Sequence, residues 1–175
     1  MRNNKQKGFS LIELLIVVAI ILIIAAIAIP NLLRSKMAAN EASAVSALRT
    51  LNTTEVLYST NCNSLSTDLT SLGPDAGGAG TAPACKTGDD LVDAVMAGAV
   101  TTAPTNGGPL TFTKSGYIIT YAPTTNTEPN AGYTIIAVPV SVNGSGIRGF
   151  FTNQTGVIHA NALGSVTPVA TDPPL

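Results

Sequence analysis

Residues 1–34 read MRNNKQKGFSLIELLIVVAIILIIAAIAIPNLLR, and this stretch decides how the whole chain is organised. From Leu14 to Ile29 no residue is polar. The 21 residues from Phe9 to Ile29 form about 31 Å of helix at 1.5 Å per residue, enough to cross the hydrocarbon core of a bilayer. Ahead of them, Arg2, Lys5 and Lys7 stand among eight residues with no acid. A basic N-terminus next to an apolar span stays cytoplasmic, and the chain beyond the span is exported. The chain therefore reads as one inner-membrane segment joined to one exported head.

A secretory signal peptide does not fit this stretch. No polar region with a small-residue cleavage site comes after the apolar run, and the basic region ends in Gly8 directly before it. A plain anchor fits better but leaves Glu13 unexplained. A carboxylate inside an apolar helix costs about 2–3 kcal/mol at mid-bilayer, so such a charge needs a partner.

The stretch GFSLIELLIVVAIILIIAAIAIPNL resembles the class III signal of type IV prepilins and type II secretion pseudopilins. The resemblance covers about the first 34 residues. It implies a leader, residues 1–8, cut after Gly8 by a prepilin peptidase that also methylates the new N-terminal Phe9. Glu13 matches the glutamate thought to pair with the terminal amine of a neighbouring subunit. In a helix bundle without water each of those charges needs the other. A glycine before the cut leaves backbone access that a Cβ would impede. Pro30 matches the family's proline, and it should weaken the helix just before it. Many members carry glycine where this chain has Leu22. In assembled pili the backbone between that glycine and the proline can stretch. Leucine favours helix over glycine by up to about 1 kcal/mol, so Leu22 opposes such melting.

Beyond the membrane segment, residues 30–61 lack Gly and are rich in Ala and Leu, with Pro30 at their start. They predict an amphipathic continuation of the spine. Leu33, Met37, Val45, Leu48, Leu51 and Tyr58 share one stripe, which Glu41 and Glu55 interrupt. Residues 62–109 read as a long connection punctuated by Gly-Pro, Gly-Gly and Ala-Pro, with a short helix expected near Asp89–Met96. An unstapled connection of that length would be unusual. A bridge between Cys62 and Cys85 would staple it, contributing roughly 3 kcal/mol by loop closure, and the exported compartment permits it. Two free thiols are one alternative; a redox pair is another, which the absence of a Cys-x-x-Cys spacing disfavours.

From residue 110 to 175 the pattern changes to LTFTK, GYIITYAP, GYTIIAVPVSV, RGFFTN and GVIHAN, short β-branched and aromatic runs between turns. Asn153–Gly156 suits a hairpin turn. The expected fold is α+β: a long N-terminal helical spine packed on a head of four or five antiparallel strands. The tract from Lys114 to Ala122 and FFTNQTGVI are also similar, more loosely, to heads of type II secretion G-like pilins.

Catalytic chemistry finds little support. His159 is the single histidine and the two cysteines lie far apart, so no zinc set can be assembled. No G-x-S-x-G elbow accompanies His159, which is expected to be an exposed strand residue. Asp89, Asp90 and Asp93 are the densest acidic cluster. A solvated helix N-terminus explains them better than a calcium site needing six to eight oxygens. Asn52, Asn143 and Asn153 each open an N-x-[ST] triplet, which chance supplies in a chain of this composition. Removing the three leader charges from nine basic residues leaves six against ten acidic ones, no footprint for nucleic acid.

The sequence thus predicts a non-enzymatic, cofactor-free filament subunit, held in the inner membrane before assembly and in a periplasmic or surface filament afterwards. The resemblance implies its partners: further copies of itself, the prepilin peptidase, an inner-membrane platform protein and an assembly ATPase. A type II secretion pseudopilin is the alternative. A monomeric membrane-anchored periplasmic binding domain is a third reading, from another class.

Overall fold

The computed structural model describes residues 9–66, 69–73, 91–96, 110–125, 130–164 and 167–175. The helix α1 spans Leu11–Cys62, with Pro30 inside it. By contact the chain divides after Lys36 into two compact units.

In the first unit almost every side chain of α1 is exposed, including Leu14, Ile20, Leu22 and Ile27. The most apolar window has a mean hydropathy of 3.3 with none of it buried, so the helix is long and apolar enough to cross a membrane. The helix is unbroken across Pro30. Proline removes one donor, and the Ala- and Leu-rich flanks retain the remaining ladder.

In the second unit the buried helix positions are Met37, Glu41, Ala44, Ala47, Leu48, Leu51, Asn52, Thr54, Glu55 and Tyr58. Steps of three and four keep them on one face. That face meets a five-stranded antiparallel meander in the order β1-β2-β3-β4-β5. The strands are β1 Leu110–Lys114, β2 Tyr117–Pro123, β3 Tyr133–Pro139, β4 Gly149–Asn153 and β5 His159–Asn161. Inward residues recur at period two, and Phe112, Ile119, Ala137 and Phe150 lie in register across four strands. With Leu48, Leu51 and Tyr58 they form the centre of the core. The α+β architecture expected from the sequence is the observed one.

Turn chemistry sets the strand pairing. Ser115 and Gly116 both have positive φ, 50° and 73°. They form the two-residue hairpin between Lys114 and Tyr117, whose twist suits antiparallel strands. Gly156 has φ 75° and its N–H donates to Asn153 O at 2.9 Å, closing the expected turn after β4.

The connection contributes more to the core than its composition indicates. Leu69–Leu72 is a turn of 3-10 helix, and Leu69, Leu72, Val92 and Met96 are buried in the main cluster. The helix expected at Asp89–Met96 is not seen among its described residues. There the chain makes a turn that brings the N–H of Met96 to Asp93 Oδ1 at 2.8 Å. Asp89 and Asp90 lie outside the described residues.

Candidate functional site

Phe9 and Ser10 precede the first turn of α1, which begins at Leu11. Phe9 is 85% exposed. Ser10 is at the N-cap and Glu13 three positions on, the S-x-x-E spacing of a capping box. The Glu13 carboxylate turns back to accept the Ser10 N–H at 2.9 Å, using one oxygen on an otherwise unmatched backbone donor. Negative charge is also favoured at this end of a helix. This local role is missed when Glu13 is read for its charge alone, although Ser10-Leu-Ile-Glu13 spells it out. Gly8 lies outside the described residues. Leu22 and Pro30 both lie within the continuous helix.

The helix is clasped in the second unit by the two acids that interrupt its apolar stripe. Glu41 Oε1 accepts the N–H groups of Ile147 and Arg148 at 2.9 and 3.2 Å. Its Oε2 meets Arg148 Nε at 2.9 Å. Burial alone would push its carboxyl upward, but these hydrogen bonds and the guanidinium together hold it below the ordinary value of 4.5. Asn40 Nδ2 adds a bond to Ser145 O at 2.8 Å. Arg148 in turn lies over the Phe150 ring, 5.5 Å from its centroid.

Glu55 is fully buried and accepts both the N–H of Ser66, at 3.0 Å, and the Ser66 hydroxyl. Tyr121 and Asn130 both donate to Ser66 O at 2.8 Å. Burial, followed by the nearby Glu55 charge, pushes the Tyr121 hydroxyl far above its ordinary range. This network fastens the residues just past the helix to strand β2 and to Asn130. Among the described residues no buried side-chain nitrogen or oxygen lacks a partner, so the polar positions act as structural clasps.

Cys62 ends α1 and is disulfide-bonded; Cys85 lies outside the described residues. Asp93 pairs with Lys114 at 3.0 Å. The described residues include no group of three or more metal-binding side chains. His159 is half-buried rather than exposed, because the C-terminal segment packs over β5. Its Nδ1 lies 2.6 Å from Asp172 O, while the N–H of Ala160 donates to Pro173 O and that of Leu175 to Ile158 O. Asn52 is buried, with its amide committed to Thr152, Gly156 and Tyr133. Asn143 is exposed on the β3–β4 loop, and Asn153 caps Thr155 within its turn.

Residues 3–29 match the family described as the prokaryotic N-terminal methylation motif. The match is confined to the N-terminal segment. Over 72 residues it is 43% identical to the type IV wide pilus major component PilA4 of Thermus thermophilus, covering 41% of this chain and 53% of that protein. Over 53 residues it is 47% identical to the type IV major pilin protein PilA of Myxococcus xanthus, covering 30% of this chain and 24% of that one. The chain thus spans about half of one pilin and a quarter of the other. No solved structure matches it.

Proposed function

We propose that this chain is a type IV pilin, a structural subunit of a type IV pilus-like filament, polymerised through its N-terminal helix. The observation that carries this reading is the fully exposed apolar face of α1, whose best window has no buried residue. A subunit stored in the membrane covers that surface with lipid, and a filament covers it with the same helix of other copies. Each exchange keeps the apolar area out of water. Both named relatives are major pilus components, which favours a pilus over a secretion pseudopilus.

In this reading the leader is removed after Gly8 and Phe9 is methylated at its new amine. Phe9 and Ser10 lie ahead of the helix. Glu13 keeps one oxygen on its own Ser10 and offers the other to the amine of a neighbour. Cys62 pairs with Cys85 and staples the connection to the end of the helix. The peptidase, platform protein and assembly ATPase of the family are the remaining partners. Before assembly the N-terminus lies in the cytoplasm and the head beyond the inner membrane.

Mass spectrometry of filaments sheared from cells tests the proposal. An abundant chain beginning at N-methylated Phe9 is the expected result. The same terminus found only in membranes would favour a pseudopilin or minor subunit, and a chain beginning at Met1 would overturn the processing scheme.

A further inference from the structure

At the end of the apolar run, Arg34 and Lys36 are exposed on α1. The ion pairs among the described residues are Lys114–Asp93 and Arg148–Glu41, so neither involves them. Their own helix offers no acid at three or four residues' distance on either side. Those positions are Pro30, Asn31, Met37 and Ala38 for Arg34, and Leu32, Leu33, Ala39 and Asn40 for Lys36. Neither has an i,i+3 or i,i+4 acidic partner on its own helix.

Two further observations fix the kind of partner. The apolar run ends at Ile29, and Arg34 and Lys36 follow five and seven residues later, about 8 and 10 Å further along the helix axis, within reach of the headgroup layer that borders the hydrocarbon core. Arg34 and Lys36 are also about 200° apart around the axis, on opposite sides of the helix. A protein partner docking along one face would meet only one of them. A layer that surrounds the helix meets both.

We propose that Arg34 and Lys36 form a collar that binds lipid phosphate in the outward-facing leaflet and sets the depth at which the unassembled subunit is held. The occupant is the phosphodiester of the membrane itself. Guanidinium and ammonium groups extend along their aliphatic stems to reach it while the helix stays in hydrocarbon. The inference rests on the membrane-stored subunit of the proposed function. Assembly then requires these contacts to be broken as the subunit is lifted out.

The test uses the full chain, carrying 13C-labelled arginine and lysine, reconstituted into vesicles of phosphatidylcholine and phosphatidylglycerol. Vesicle flotation reports insertion, and dephasing of the side-chain 13C signals by lipid 31P in solid-state NMR reports phosphate contact. The expected result is co-flotation with loss of the Arg34 Cζ and Lys36 Cε signals under 31P recoupling, while Arg49 and Arg148 keep theirs. The variants R34Q and K36Q assign the signals and should still float. Flotation with undiminished Arg34 and Lys36 signals would overturn the collar and leave the membrane reading standing. Failure to float would overturn both.

Discussion

Glu41 and Glu55 occupy the same helical stripe as Leu48, Leu51 and Tyr58, yet each is buried with its carboxylate hydrogen-bonded. Replacing Glu41 by Gln keeps one acceptor but removes the charge facing Arg148. It should destabilise the head by about 1–3 kcal/mol, measured by denaturant unfolding. The pH dependence has a defined sign. Because the folded carboxyl lies below 4.5, its stabilisation is fully present above that value and is lost as pH falls through the folded pKa. Unfolding midpoints should therefore drop on acidification below about pH 4.5 in the native chain and drop less in Glu41→Gln. At Glu13 the residue scale separates two roles. Glutamine also serves in a capping box, so Glu13→Gln preserves the helix start while deleting the charge. If pairing with a neighbour's amine drives assembly, Glu13→Gln and Glu13→Ala should both lose filaments in electron micrographs while the protein stays in the membrane fraction. Normal filaments from Glu13→Gln would leave capping as the whole role of this side chain.

Among the elements, the β3–β4 loop at residues 140–148 is one anchor of helix to sheet, since Asn40 and Glu41 both bind it. Its shape depends on Gly146. A Cβ there would collide with the Tyr117 hydroxyl, which donates to Arg148 O at 2.8 Å. Gly146→Ala should force the ring aside, break that bond and cost about 1–3 kcal/mol in thermal or denaturant unfolding. The strands themselves were legible, because alternating Tyr, Ile, Phe and Thr is a local pattern. So was the spine, because sixteen apolar residues from Leu14 to Ile29 admit few other readings. The short 3-10 turn and the burial of Val92 and Met96 were not legible. Nothing within the connection's Gly-, Thr- and Pro-rich sequence indicates which of its few apolar residues reach the core.

At the scale of the molecule, a loosely patterned connection and a C-terminal segment are both tied to the head. Cys62 is disulfide-bonded at the helix end. If Cys85 is its partner, reduction should lower stability by roughly 3 kcal/mol under the loop-closure account. Differential scanning calorimetry with and without reductant measures this, and an unchanged midpoint would argue against a stabilising staple. The C-terminal segment needs no such staple, because Ala160 and Leu175 donate backbone hydrogen bonds across its pairing with β5. Half-burial of His159 results from that pairing, which explains why an exposed strand position was the wrong expectation.

By itself the sequence determined the apolar helix, the N-terminal motif and the alternation of the strands, since each is written in residues close together along the chain. The capping box belongs with them, although its meaning emerges only once Ser10 and Glu13 are considered as a pair. Tertiary structure alone decided that Glu41 would hold Ile147 and Arg148, that Glu55 would hold Ser66, and that His159 would meet Asp172. Those partners lie 106, 107, 11 and 13 residues apart, and each carries no local mark of the other. A buried carboxylate is tolerated only where folding delivers donors to it, so these positions acquire their meaning when helix, loop and sheet close on one another.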